Sequence, residues 1–366
     1  MAVVQVFIGT KAQYIKTAPL LRLMDDRGVP YRLIDSGQHA TLSRGLRTEL
    51  GVGDPDLLLG GTRDVTSIPG AIAWSSRLAT RLAARERLKE EIFGGVGGIC
   101  VVHGDTPSTL LSTLMARRAG LQVAHLEAGL RSHSLFNPFP EELIRIAVMR
   151  LSHALFAPDA AAVENLRAMR VRGRIIPTSG NTVVDALRYS LRDTSVAPTG
   201  AVIATMHRVE NLHRGSRVEG FIRILERVSA KFPVHLVLHG PTTTVLRECG
   251  GLSRLELAGV TTQELAPHAE FTRLLATAPF VITDGGSIQE ECALLGVPTL
   301  LWRARSERGD GIGRNVVVTN YEHRSVGRVM DNPEALRYPP VFDEAEPTAE
   351  ILDVVCRALD RLRSRQ

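Results

Sequence analysis

Two doubly wound α/β domains facing each other across a cleft are the fold this sequence predicts, on three observations. The chain has 366 residues, enough for two domains at roughly 150 residues each. Short β-branched runs alternate with amphipathic stretches of helical period, the rhythm of strand, crossover helix and parallel strand. That rhythm stops at the turn signal Pro177-Thr178-Ser179-Gly180 and then starts again.

In the first half, Val3 to Ile8, Tyr31 to Asp35, Gly98 to His103, Gln122 to Leu126 and Ala154 to Ala157 read as strands. Their near-continuous apolar character suits strands covered by helices on both faces. After the turn, a helix over Val183 to Leu191 leads to a second set: Ala201 to Met206, Val234 to His239, Phe280 to Thr283 and Thr299 to Trp302. A last amphipathic helix, Ala349 to Leu362, is expected to pack back on the first domain. The domains are therefore expected over 1–172 plus 349–366, and over 173–348. Leu57 to Ser76 mixes Gly60-Gly61 with short apolar pieces and supports no assignment.

Hydrophobic residues make up 44% of the chain and charged residues 23%, a balance that excludes disorder and fibrous repeats. No apolar run approaches the roughly 18 residues of a spanning helix. Met1-Ala2-Val3-Val4-Gln5 carries no basic leader, so a cytoplasmic protein with no membrane partner is expected. Cys100, Cys249, Cys292 and Cys356 lie far apart with no Cys-x-x-Cys spacing; they are expected to be reduced, buried fillers rather than disulfide partners or zinc ligands. A net charge of +5 and a pI near 9.3 raise nucleic acid as a partner. Scattered arginines, 5% aromatic residues and the lack of a nucleic-acid-binding motif argue against it.

Ligands of parallel sheets bind outside the carboxyl ends of the strands, so residues just after each strand are the candidates. The first strand runs into Gly9-Thr10-Lys11-Ala12-Gln13-Tyr14-Ile15-Lys16. A glycine turn, a hydroxyl and two cations at a helix start make either an anion site with free backbone N–H groups or an ordinary strand-to-helix turn. There is no Gly-x-Gly-x-x-Gly and no Gly-Lys-Ser/Thr, hence no dinucleotide fingerprint and no P-loop; neither a cofactor nor a metal is expected. His103-Gly104-Asp105-Thr106-Pro107 puts Asp105 at a strand tip, as an acid/base group or a helix cap. His125-Leu126-Glu127 puts a second carboxylate at the next tip, and Pro140-Glu141-Glu142 opens a helix with acidic residues in its first turn. Each alone reads as structural, whereas three converging on one cleft read as proton-transfer chemistry. In the second half, Thr205-Met206-His207-Arg208 sets an imidazole beside a guanidinium at a strand tip. Thr283-Asp284-Gly285-Gly286-Ser287 then leads into a helix whose N–H groups form a pyrophosphate cradle, with Glu291 one turn on, placed for ribose hydroxyls.

Together these motifs resemble the UDP-N-acetylglucosamine 2-epimerase family, whose fold is the two-domain, Rossmann-like GT-B architecture. The resemblance covers nearly the whole chain in the family's order: Gly9 to Lys16, Gly37-Gln38-His39, His103 to Thr106, Glu127 to Arg131, Pro140-Glu141-Glu142, Gly180 to Val183, His207-Arg208, Gln289-Glu290-Glu291 and Glu307-Arg308. It implies that Lys11, Lys16, Arg208, Gly286, Ser287 and Glu291 hold the nucleotide and its phosphates. It further implies that Asp105, Glu127, Glu141 and His207 surround the reacting sugar, with a UDP-sugar as substrate; a homodimer is expected. Several positions depart from the family: Lys11 stands where an Arg is usual, Ala12-Gln13 replaces Pro-Glu, and Gly285-Gly286-Ser287 replaces Ser-Gly-Gly. Arg308-Gly309-Asp310-Gly311 likewise replaces Arg-Pro-Glu-Ala, and Ala40, Thr41 and Val209 stand where the family's activator-binding residues would be.

The chemistry so implied is loss of the nucleoside diphosphate from C1 with a proton from C2, giving a glycal-like intermediate. Re-addition after protonation on the other face is epimerisation, the outcome expected here. Water at C1 would release a free sugar instead. A GT-B glycosyltransferase would share the cradle but commonly needs a single base, and a non-catalytic sugar-nucleotide sensor is a third reading.

Overall fold

The computed structural model describes residues 2–38, 40–60, 68–134, 140–192, 200–341 and 344–364. They form two units, 1–186 with 345–366 and 187–344, each built on a parallel sheet. In the first, β1 (Val3–Ile8), β2 (Tyr31–Asp35), β3 (Leu57–Leu58), β4 (Gly98–His103), β5 (Gln122–Leu126), β6 (Ala154–Ala157) and β7 (Arg174–Pro177) lie in the order β3-β2-β1-β4-β5-β6-β7. In the second, β8 (Val202–Thr205), β9 (Val234–Leu238), β10 (Val260–Glu264), β11 (Val281–Thr283), β12 (Thr299–Leu301) and β13 (Val316–Val318) lie in the order β10-β9-β8-β11-β12-β13. Both orders reverse beside the unit's first strand, at β1–β4 and β8–β11, and ligands of doubly wound sheets bind at such a reversal.

The first unit extends to Ala186 instead of stopping at residue 172, because β7 pairs with β6 from Ala154↔Arg174 to Ala157↔Pro177. The boundary falls inside the helix Val183–Leu191. The chain returns to the first unit with the helix Pro347–Arg363, whose Ile351, Leu352, Val355 and Leu359 join the core formed by β1 and the helix Lys11–Asp26. The return is fastened by polar contacts: Ser179 N–H donates to Glu350 at 2.8 Å and Thr348 N–H to Asp185 at 3.0 Å.

Cys100 and Cys292 are buried, as expected of fillers, and burial pushes both thiols up. Cys249 corrects that expectation: it is exposed, at the end of the helix Gly240–Glu248. His39 of the Gly-Gln-His motif lies outside the described residues. Among the described residues no helix is long and apolar enough to cross a membrane.

The returning helix is part of the first core, not an appendage. Leu352, which is fully buried, should on truncation to Ala lower stability by about 2–5 kcal/mol. Urea unfolding followed by circular dichroism measures this; a loss under about 1 kcal/mol would show the helix to be dispensable.

Candidate functional site

Of the ten expected site residues, Lys11, Lys16, Asp105, Glu127 and Glu141 belong to the first unit, and His207, Arg208, Gly286, Ser287 and Glu291 to the second.

In the first unit, β4 and β5 end in register, His103 opposite Leu126, so Asp105 and Glu127 leave adjacent strand tips. Glu127 has a left-handed backbone, φ 61°, uncommon for a residue with a Cβ. The next N–H, of Ala128, donates to Phe156 O at 2.9 Å and fixes the turn. Glu127 Oε1 lies 2.9 Å from Lys16 Nζ, with the two side chains 5% and 4% exposed, and Oε2 lies 3.6 Å from His103 Nδ1. Lys16, expected on the nucleotide, is here the buried counter-ion of Glu127.

Asp105 does not cap the helix Pro107–Ala119; Thr106 does, with Pro107 in the first turn. Asp105 instead pairs with Arg145 Nη2. Arg145 Nη1 donates to Glu142 Oε2 at 2.7 Å, and fully buried Glu142 also accepts from Arg131 Nε at 2.5 Å and Ser132 N–H at 3.0 Å. Burial pushes the Glu142 carboxyl up, but the bonds from Arg131 and Ser132 and the charge of Arg145 outweigh it and hold its pKa below the ordinary value. Glu141 is the first residue of the same helix, Glu141–Leu151, and is half-buried. Fully buried His125 donates from Nε2 to Gly104 O at 2.8 Å. Desolvation drives its pKa down to about 4 against the opposing charges of Asp105 and Glu127, so at neutral pH it is an uncharged strut beneath the Asp105 loop.

Of the two readings at Gly9-Thr10, the contacts of Gln13 favour the ordinary turn. Gln13 Oε1 accepts from Gly9 N–H at 2.7 Å and Thr10 N–H at 3.0 Å, and Thr10 caps the helix Lys11–Asp26 in a capping box with Gln13. Those N–H groups are satisfied within the fold, which makes this an ordinary strand-to-helix turn. Gln13 Nε2 also donates to His103 O at 2.6 Å and Thr109 Oγ1 at 2.8 Å, contacts that a carboxylate could not make. Lys11 is the first helical residue and is partly exposed.

In the second unit the organiser is Asp284, fully buried at the end of β11. It accepts from His207 N–H and Arg208 N–H, each at 3.0 Å, and from Asn211 Nδ2 at 2.9 Å, and so shapes the loop after β8. Its Oδ1 lies 3.4 Å from His207 Nδ1. Desolvation lowers the His207 pKa, with Arg208 and Arg303 adding to it against Asp284 and Glu210. Arg208 divides its guanidinium between Glu210 at 2.9 Å and Glu307 at 3.1 Å, and Arg303 meets Glu307 at 2.7 Å.

The helix Gly286–Leu295 starts with no side-chain cap. A Cβ on Gly285 would come within 2.7 Å of His207 Cε1, and one on Gly286 within 3.1 Å of Glu307 Oε1. The two glycines therefore let the His207 imidazole and the Glu307 carboxylate, which pairs with Arg208, close on the helix N-terminus. Ser287 is half-buried in the first turn. Glu291 is buried one turn on, with Oε1 3.4 Å from His268 Nε2, and His268 Nδ1 is 3.4 Å from Ser190 Oγ. Gln289 Nε2 donates to Asp310 O at 3.0 Å and Arg308 pairs with Glu290 at 3.1 Å, so the helix also fastens the arginine-bearing loop.

The sequence did not single out Arg145 or His268. Only Arg145 carried a local signal, an acidic and a basic residue three apart on one helix.

A family model described as UDP-N-acetylglucosamine 2-epimerase matches residues 22–334. The UDP-N-acetylglucosamine 2-epimerase of Bacillus subtilis (strain 168) is 33% identical over 58% of this chain and 58% of its own length. That of Methanocaldococcus jannaschii is 27% identical over 88% of this chain and 90% of its own. Among solved structures, UDP-GlcNAc 2-epimerase from Neisseria meningitidis, described as bound to UDP-GlcNAc, superposes with a TM-score of 0.83 at 24% identity, covering 98% of this chain and 100% of that one.

Arg208 and Arg303 hold Glu307 at a pKa of about 2, overcoming the burial that would raise it, against an ordinary value of 4.5. A depressed carboxyl pKa stabilises the fold fully above about pH 4.5 and loses that contribution as pH falls towards about 2, roughly 3 kcal/mol in all. Glu307→Gln should flatten this acid limb of the stability profile. Equal acid limbs for the variant and the parent in urea titrations would contradict the pairing.

Proposed function

The chain belongs to the UDP-N-acetylglucosamine 2-epimerase family, and from that premise we propose that it interconverts UDP-N-acetylglucosamine and UDP-N-acetylmannosamine, or a close analogue, without net hydrolysis. The observation that carries the reading is the first unit's set of oriented carboxylates: Asp105 on Arg145 and Glu127 on Lys16, with Glu141 opening the helix that bears Arg145.

The C2–H of the sugar has no adjacent carbonyl, so a carboxylate cannot remove it directly. As the C1–O bond breaks, UDP leaves with the electron pair, and oxocarbenium character at C1 acidifies C2–H. A carboxylate then takes that proton, leaving a C1=C2 double bond. A second acid protonates C2 from the opposite face, and the UDP oxygen returns to C1. Protons and electron pairs balance with no hydride carrier. Asp105, Glu127 and Glu141 are the acid/base groups in this reading. His207, with its lowered pKa, acts as a neutral hydrogen-bond donor to the departing diphosphate. Gly286, Ser287 and Arg208 hold the phosphates and Glu291 the ribose, while Lys11 adds positive charge and Lys16 orients Glu127.

Retention of UDP between the two half-reactions separates epimerisation from hydrolysis. The anchoring of the arginine loop through Gln289, Glu290 and Glu307 supports retention, because a fixed set of donors keeps the leaving group ready to return. The proposal includes a homodimer and a cytoplasmic location, since a sugar diphosphate is too charged to cross a membrane unaided.

Incubation with UDP-N-acetylglucosamine alone in deuterated water should give the C2 epimer carrying deuterium at C2, with no acceptor and no accumulating free sugar. Asp105→Asn, Glu127→Gln and Glu141→Gln should each slow turnover by on the order of 100-fold while leaving UDP affinity nearly unchanged. Stoichiometric free sugar would assign hydrolysis, and an epimer without deuterium would end the elimination mechanism.

A further inference from the structure

We infer that Arg145, held by the buried carboxylate of Glu142, is a positioning residue that fixes Asp105 for proton transfer, with Glu142 the common anchor of all three carboxylate-bearing segments. The inference rests on the epimerase reading and deepens it.

Glu142 receives three donors from two places in the chain. Arg131 and Ser132 N–H belong to the segment that follows Glu127 in the run Glu127-Ala128-Gly129-Leu130-Arg131. Arg145 lies three residues on from Glu142, on the same face of the helix that Glu141 opens. Arg145 then reaches across forty residues of sequence to Asp105, in the loop after β4. The segments carrying Asp105, Glu127 and Glu141 are thus tied to one carboxylate.

The chemistry of the tie is specific. Arg145 uses one arm of its fork, Nη1, on Glu142 and the other, Nη2, on Asp105. A planar guanidinium can hold two carboxylates in fixed relative positions, whereas an ammonium cannot reproduce that geometry. The Arg145 side chain is 5% exposed and that of Glu142 0%, while Asp105 remains 29% exposed. The partners are buried and the group they orient is open. Stability alone does not account for this cluster, because a buried ion pair contributes little over a well-packed apolar replacement. What it does fix is the direction of the Asp105 carboxylate.

The test compares Arg145→Met, Arg145→Lys, Glu142→Gln, Asp105→Asn and the Asp105→Asn/Arg145→Met double variant. Readouts are kcat, KM, deuterium exchange at C2 and UDP affinity by calorimetry. Arg145→Met should lower kcat and C2 exchange by on the order of 100-fold, with KM and UDP affinity within about threefold of the parent. Arg145→Lys should recover less than about a tenth of the lost rate, and Glu142→Gln should lose rate in the same direction. The double variant should be no slower than Asp105→Asn alone, because the two changes remove one function. Urea unfolding followed by circular dichroism reports that the first unit of each variant is folded. Full multiplication of the two losses, or an Arg145→Met rate within about threefold of the parent, overturns the positioning role. Absence of C2 exchange in the parent protein would instead overturn the epimerase reading, and this inference with it.

Discussion

A carboxylate with no solvent exposure must be matched by donors or give up its charge, and that constraint organises both units. Glu142 in the first and Asp284 in the second are each fully buried; Glu142 gathers donors from two segments, Asp284 from the one loop after β8. Glu142 collects two guanidiniums and a backbone N–H; Asp284 collects two backbone N–H groups and an amide. Neither is free to touch a ligand. Each holds a neighbouring group in place: Asp105 through Arg145 in one unit, His207 and Arg208 through their own backbone in the other. Parallel sheets make this economical, because adjacent strands end at one height and a single side chain can reach two loops.

Local backbone cost is concentrated in the same places. Glu127 carries a positive φ, disfavoured by roughly 1–2 kcal/mol for a residue with a Cβ. The ladder bond from Ala128 and the buried pair with Lys16 hold it there. In the second unit the constraint is space: glycine at 285 is what allows the His207 ring to lie against the chain. A strained carboxylate and a missing side chain are different solutions to one requirement, that a polar group project from a strand tip at a set angle.

The strands legible in the sequence were the interior ones. Val3–Ile8, Tyr31–Asp35, Gly98–His103, Gln122–Leu126 and Ala154–Ala157 have the expected limits, and the four interior strands of the second sheet differ only by a residue or two at their ends. The four strands that went unread, β3, β7, β10 and β13, are the four sheet edges. An edge strand is short and covered on fewer sides, so it needs no continuous apolar run; Val260-Thr261-Thr262-Gln263-Glu264 is a polar example. The site divides on similar lines. Residues just after interior strands, such as Asp105, Glu127, His207 and Gly286, announce themselves by position. Arg145 and His268 act through partners, and the distant ones, Asp105 for Arg145 and Ser190 for His268, are close only once the chain has folded. At Gly9-Thr10 the sequence offered two readings, and the long amide of Gln13 decided between them by turning back on the helix start.

The arginines of the second unit are held by internal acids, which suits the phosphate site proposed there. Arg208 meets Glu210 and Glu307, Arg303 meets Glu307, and Arg308 meets Glu290. Unpaired guanidiniums would bind a diphosphate more strongly in Coulomb terms, but each would first have to lose the freedom of a long side chain on binding. Glutamates that already hold the forks remove much of that entropic cost, at the expense of some attraction. In the proposed reaction, where the diphosphate would leave C1 and return to it, moderate attraction with fixed geometry is the better compromise: a site that bound the free diphosphate too tightly would stabilise the intermediate state and slow its collapse to product.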